Sequence, residues 1–186
     1  MGTPKALLTD TDGRAFVARI VRAFATAGIT DIVVVTGRQP DAIEAAVTAD
    51  RPPVMPRFVR NPDPARGQLS SLWAGLEAVN RDAAGVLMTL VDVPMLRAST
   101  IQAVVRAWQE RHAPIVRPAM GDRHGHPVLF DRATFDELRR APLSEGAKAV
   151  VRAHADRVVN VPVDDPGCLV DIDTPRDYEQ ALKERQ

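Results

Sequence analysis

The spacing of apolar positions switches repeatedly between strand and helix periods. Ile32, Val33, Val34 and Val35 run without a break into Thr36 and stop at Gly37, so a strand is predicted over 32–36. Ahead of it, Phe16, Ile20, Phe24 and Ala27 recur at helical spacing and Gly28 closes the segment. A short helix is expected from Pro40 to about 49, and a short strand over 57–60. The polar loop Asn61-Pro62-Asp63-Pro64-Ala65-Arg66-Gly67 follows. Leu69, Leu72, Trp73, Leu76 and Val79 then trace one helix face. Residues 85–91 are apolar without alternation, as in a strand covered on both faces of a parallel sheet. Ile101, Val104, Val105 and Trp108 mark another amphipathic helix, with its cap expected at Ser99 or Thr100. Further strands are predicted at 114–117, 128–130 and 158–163, and helices at 132–139 and 145–155. The last helix starts at Thr174 as N-cap, with Pro175 in its first turn and Asp177 closing a capping box.

Strands alternating with helices, with no repeat or linker, predict one α/β domain over 1–186. It is expected to be doubly wound and Rossmann-like, with a mostly parallel sheet. A chain of 186 residues, 45% apolar and 26% charged, suits a single globular domain. Lys+Arg and Asp+Glu are both 24, without the basic excess of a general nucleic-acid binder, so no nucleic-acid partner is expected. No apolar run reaches the ~18 residues of a membrane span, and no signal-peptide pattern is visible. The single cysteine, Cys168, can form no intrachain disulfide and is no metal site alone, and a cytoplasmic setting is expected. There is no Gly-x-Gly-x-x-Gly of a dinucleotide dehydrogenase and no Ser-His-Asp arrangement.

Five places could carry chemistry. Asp92 follows a buried strand at its carboxyl end, where open parallel sheets bind ligands, and Pro94 turns the backbone away. A carboxylate there can hold magnesium against phosphate oxygens, or merely cap the next helix. Lys5 follows Gly2-Thr3-Pro4 and is one of only three lysines, against 21 arginines. It could place a compact charge on phosphates, or be a solvated terminal lysine. Gln68, Ser70 and Ser71 open a helix, where backbone N–H groups attract anions and Gln68 could read a base edge; plain capping is the alternative. Arg123-His124-Gly125-His126-Pro127 invites a zinc reading, but no third His or Cys lies nearby, and a substrate-contacting or solvated loop fits better. Asp171 and Asp173 straddle an expected strand end; either could be a second metal carboxylate, or both could serve the helix start.

Taken together, these segments resemble the molybdenum cofactor cytidylyltransferase branch of the MobA-like nucleotidyltransferase family. The matching pieces occur in the family's order: Met1-Gly-Thr-Pro-Lys-Ala-Leu-Leu8, Gly67-Gln-Leu-Ser-Ser-Leu72, Asp92-Val-Pro94, Gly125-His-Pro127 and Asp171-Ile-Asp-Thr-Pro175. The resemblance implies transfer of a nucleoside monophosphate, CMP from CTP, to a phosphorylated pterin carrying molybdenum, with release of pyrophosphate. It implies catalytic roles for Lys5 and Asp92, and nucleotide contacts from Gly2, Pro4, Lys5, Gln68, Ser70 and Ser71. Arg123 and His126 would lie toward the acceptor. Mg2+ would sit on Asp92, with Asp173 or Asp171 as the second carboxylate.

Molybdoenzyme maturation factors are possible partners under this resemblance. Two other readings stay open: a nucleotidyltransferase for another phosphorylated metabolite or sugar, and a non-catalytic nucleotide- or partner-binding accessory protein. The family opens with a buried strand and a loop of the form Leu-Ala-Ala-Gly-x-Ser-x-Arg-Met-Gly, and Met1-Gly2 matches only its end. The fold is therefore expected to lack the family's central first strand and most of its phosphate loop, with the native start upstream.

Overall fold

The computed structural model describes residues 4–174 and 176–179. Gly2 and Pro175, both singled out above, lie outside the described residues. The helices are α1 (Phe16–Thr26), α2 (Pro40–Asp50), α3 (Gln68–Ala78), α4 (Ala98–Arg111), α5 (Phe135–Arg140) and α6 (Lys148–Ala153). The strands are β1 (Val33–Thr36), β2 (Arg57–Arg60), β3 (Gly85–Met88), β4 (Ile115–Met120), β5 (Arg123–His124), β6 (Val128–Asp131) and β7 (Val158–Pro162). β1 and β2 form a parallel pair. In the larger sheet β3 pairs β6 and β6 pairs β4, both antiparallel; β4 also pairs β5 antiparallel and β7 parallel. β3, β4 and β7 therefore share one direction, and only β6 and the short β5 oppose it. No described strand joins the two sheets.

The amphipathic pattern of α1 becomes its packing: Phe16, Val17, Ala18, Val21 and Phe24 are buried. Val17, Ala18, Val21 and Phe24 meet Ile32 of the β1 approach, Ile43 and Val47 of α2, and Ile101 of α4 in one cluster, while Phe16 packs against Met95 and Ile172. A second cluster joins Leu69 and Leu76 of α3 to Ile115, Phe130, Phe135 and Leu138. The larger sheet thus has α4 on one face and α3 with α5 on the other, as a doubly wound domain requires. None of the described helices is long and apolar enough to cross a membrane.

Several expected boundaries move. The strand expected over 85–91 ends at Met88, because Val93 N–H already closes a turn onto the Leu90 carbonyl. Ser99 and Thr100 fall inside α4 rather than capping it, since the preceding residue, Arg97, offers no side-chain acceptor. The cap comes instead from Asp165, whose Oδ2 accepts from Arg97 N at 3.0 Å and Thr100 Oγ1 at 2.6 Å. Gly146, at φ 66, delays the helix expected over 145–155 until Lys148. The hairpin strand β5 is exposed and polar, and its sequence carries no strand pattern. Residues 171–173 belong to no helix or strand and pair with none of the described strands. The capping box at the last helix is present: Asp177 Oδ2 accepts from Thr174 N at 2.8 Å, and Asp177 N–H donates to Thr174 Oγ1 at 3.2 Å.

Asp165 is 2% exposed and also accepts from Gly167 N. Removing its carboxyl orphans two N–H donors and one hydroxyl, each a lost hydrogen bond in a buried place. Asp165→Ala is expected to cost about 2–4 kcal/mol, read as a lower denaturation midpoint with unchanged slope in urea unfolding.

Candidate active site

The end of β3 delivers Asp92 into a tight turn, and three other segments come to meet it. Lys5–Leu7 form a short 3-10 turn, with Leu7 N–H bonded to the Pro4 carbonyl. Downstream, the chain is anchored by Asp10, whose buried carboxylate accepts from Asp12 N, Arg14 N and Arg19 Nη1, each at 2.9 Å. Burial alone would raise the Asp10 pKa, but these donors win and hold it below the usual carboxylate value. The 171–173 segment is laid beside Asp92 by a 2.8 Å bond from Ile172 N–H to the Asp92 carbonyl. Tyr178 then ties the two ends of the chain together, its hydroxyl donating to the Thr9 carbonyl at 2.7 Å.

The result is a charged cluster. Lys5 Nζ donates to Asp173 Oδ1 at 2.5 Å and stands 3.9 Å from Asp92 Oδ2. The other Asp92 oxygen, Oδ1, is buried with no partner among the described residues. Burial first, and then the charges of Asp171 and Asp173, push the Asp92 pKa up, with Lys5 opposing them. Two hard carboxylates, one with an unused buried oxygen, suit a hard divalent cation. Among the described residues no three His, Cys, Asp or Glu side chains gather to hold a metal. A cation here would complete its shell with water or with phosphate oxygens, as magnesium commonly does.

Lys5, Asp92, Gln68 and Ser71 all line the same cleft, together with Pro4 and Arg38. Ser70 does not reach it. Its hydroxyl is buried between Asn61 Nδ2 at 2.8 Å and the carbonyls of Gly67 at 2.7 Å and Asp63 at 3.2 Å, which pins the loop. Asn61 was not anticipated as a site residue. It is 2% exposed, binds Ser70 and Ser71, and accepts from Asp63 N, so it sets the shape of the loop before α3. The Asn-Pro-Asp-Pro turn signal was the only clue to it.

His126 comes to the cluster from the other side. Its backbone N–H donates to the Cys168 carbonyl at 2.8 Å, and Nδ1 lies 3.5 Å from the Met88 carbonyl. Gly125 is required there, because a Cβ would lie 2.1 Å from the Cys168 carbonyl oxygen. Burial lowers the His126 pKa, although Asp171 and Asp92 favour its charged form; Lys148 opposes them. Lys148 is a second unanticipated neighbour, and the scarcity of lysine in the sequence was its only signal. Arg123 is exposed on β5 and forms no hydrogen bond or ion pair with these residues. Burial drives the Cys168 thiol up to about 11, so it is a packing residue, not a nucleophile.

Charges gathered beyond the carboxyl end of β3, in a sheet with helices on both faces, stand where doubly wound proteins commonly bind ligands. The chain belongs to the MobA-like NTP transferase domain family, matched over residues 1–158. It is similar to the crystal structure of Rv0371c from Mycobacterium tuberculosis H37Rv, at TM-score 0.83 and 27% identity, covering 98% of this chain and 90% of that one. A manganese complex of the same protein matches at TM-score 0.77 and 28% identity, covering 98% and 93%. The molybdenum cofactor cytidylyltransferase of Escherichia coli K12 is 28% identical over 69% of this chain and 62% of its own length. The bifunctional protein GlmU of Anaeromyxobacter sp. Fw109-5 is 32% identical over 64% of this chain. That alignment spans 24% of GlmU, so the chain corresponds to about a quarter of that relative.

A carboxyl whose folded pKa is raised favours the fold only while protonated, and that contribution is lost as pH rises through the folded value. Ionised Asp92 therefore weakens the fold at neutral pH. Asp92→Asn keeps the shape and removes the repulsion, so it is expected to raise Tm by about 1–3 °C at pH 7, with no such gain near pH 3. A lower Tm at pH 7 would show that Asp92 is a structural ion-pair partner.

Proposed function

We propose that this protein is a magnesium-dependent nucleotidyltransferase that moves CMP from CTP to the phosphate of a phosphorylated pterin, the molybdenum cofactor or its precursor. The observation that carries the reading is the meeting of Lys5, Asp92 and Asp173 at the cleft mouth, with Asp92 Oδ1 left unpartnered. The cytidylyltransferase relative and the manganese-bound neighbour support it. An oxygen of the acceptor phosphate attacks the α-phosphorus of CTP; that P–O bond forms as the α–β bond breaks, and pyrophosphate leaves with the electron pair. Such chemistry rests on positioning and charge neutralisation.

Asp92 and Asp173 would hold the cation, with Asp171 beside them, and a divalent ion there would neutralise charge on the phosphate oxygens. Lys5 exchanges its carboxylate partner for the triphosphate. Gln68 and Ser71 face the nucleoside, while Ser70 supports them through the loop. His126 orients the acceptor, with Arg123 farther out on β5.

A second reading, transfer to another phosphorylated metabolite or sugar, draws on the GlmU similarity. CTP, GTP and UTP, each with magnesium or manganese and with phosphorylated pterin or sugar phosphate, separate the two by pyrophosphate release. The first reading expects CTP with the pterin to exceed the other pairs by about tenfold or more. Preference for UTP with a sugar phosphate would replace it. Binding of nucleotide without pyrophosphate release from any pair would favour a non-catalytic accessory protein.

A further inference from the structure

One face of β4 changes from apolar to polar as the strand runs toward its carboxyl end. Ile115 and its partner on β7, Val158, pack with Phe130 and with Val150 of α6. Side chains of one face recur at every second residue, and directly paired residues share a face. Arg117 and its partner Asn160 therefore follow on that face, and Ala119 with its partner His124 after them. Val116 and Val159 take the other face, against α4. Arg123 pairs Met120, so it falls on the α4 side, away from Arg117.

Arg117 is half-buried and has no acidic partner. Its Nε donates to Asn160 Oδ1 at 2.9 Å, and its two Nη groups meet no acceptor among the described residues. The other half-buried arginines, Arg14, Arg19 and Arg22, each hold an aspartate, Asp50 or Asp10. Burial lowers the Arg117 pKa, and no carboxylate counters it. A charge partly withdrawn from water normally finds an opposite one. The pKa of the exposed His124 also falls, by burial and then by the charge of Arg117, with Asp122 opposing. Lys148, at the start of α6, acts on His126 in the same direction. β3, β6 and β4 lie side by side, so Arg117 stands two strand spacings, roughly 10 Å, from the strand that leads to Asp92. β3 and β4 share a direction, which puts the carboxyl half of β4 at the Asp92 end of the sheet.

With the reacting phosphate placed at Asp92 as in the proposed function, we infer that Arg117, with His124 beside it, binds a second anionic group of the acceptor. That group is an oxyanion, phosphate or carboxylate, roughly 10 Å from the reacting phosphate. The free fork of the Arg117 guanidinium matches two oxygens of such a group. Arg117, rather than Arg123, is then the guanidinium that the acceptor meets.

The test uses three compounds: a linear diol monophosphate, the bisphosphate of the same diol, and the analogue with a carboxylate as its second anion. The two charged ends span roughly 10 Å. NMR titrations of the whole chain, with magnesium and without nucleotide, read dissociation constants and the Arg117 Nε–H shift. One of the two-headed compounds is expected to bind about tenfold more tightly than the monophosphate. The tighter one names the group, and the Arg117 Nε–H signal moves with it and not with the monophosphate. Arg117→Gln is expected to bind all three alike, with its monophosphate affinity unchanged. Arg117→Lys is expected to keep part of the preference, because it keeps the charge without the fork. The subsite is overturned by equal or absent binding of the three in the native chain, or by a preference that survives in Arg117→Gln. It is overturned equally if Arg117→Gln weakens the monophosphate as much as the others, which would make Arg117 only a tie between β4 and β7. A preference lost in Arg117→Gln, in a protein that releases no pyrophosphate from any nucleotide, would sink the proposed reaction and keep the anion subsite.

Discussion

The carboxylate of Asp92 is held partly out of water, with Asp171 and Asp173 close enough to raise its pKa and one ammonium, Lys5, opposing them. Negative charge gathered in this way needs a cation to be stable. The chain answers with Lys5, a residue far away in sequence, and it can do so only because three other segments are fixed around the turn that follows β3. Asp10 anchors the chain that follows Lys5, the Ile172 N–H bond lays the 171–173 segment alongside, and Tyr178 closes the loop back to Thr9. The close approach of Gly125 to Cys168 brings in His126. Lys5 satisfies one oxygen of Asp173 and leaves Asp92 incompletely paired. Under the proposed function, an external cation would take over the part that Lys5 plays here.

The same end of the molecule is governed by a backbone constraint. Parallel strands sandwiched between helices are stable when both edges are paired. Among the described residues β1 pairs only β2 and β3 only β6, and both strands line the cleft. Lys5, Gln68, Ser71 and Asp92 all line that cleft. β1 and β3 therefore frame the cleft whose lining includes Asp92.

The elements with strong periodicity were legible in the sequence. Phe16, Val21 and Phe24 on α1, the valine run of β1 and the capping box of Thr174 and Asp177 all stand close to where their patterns put them. Features decided by tertiary contact were not legible. The cap of α4 belongs to Asp165, 65 residues beyond Thr100, and nothing local announces it. β5 forms because it is adjacent to β4, not because Arg123 and His124 favour a strand. Within the site, the positions of Asp92 and Lys5 were readable from a strand end and a scarce lysine. Their proximity was not, because it depends on Asp173 and on the fold that brings residue 5 to residue 92. Ser70 looked like a ligand contact by position and proves to be a loop anchor, because Asn61 takes up its hydroxyl.

Under the proposed function, Asp92 would take a divalent cation that accompanies a nucleoside triphosphate. Calorimetric titration of CTP into the protein, with and without magnesium and with Asp92→Asn beside the native chain, tests it most directly. The expected result is binding that magnesium strengthens by about tenfold or more in the native chain and leaves unchanged in Asp92→Asn. Equal magnesium dependence in both proteins, or CTP binding indifferent to magnesium in the native chain, would contradict it.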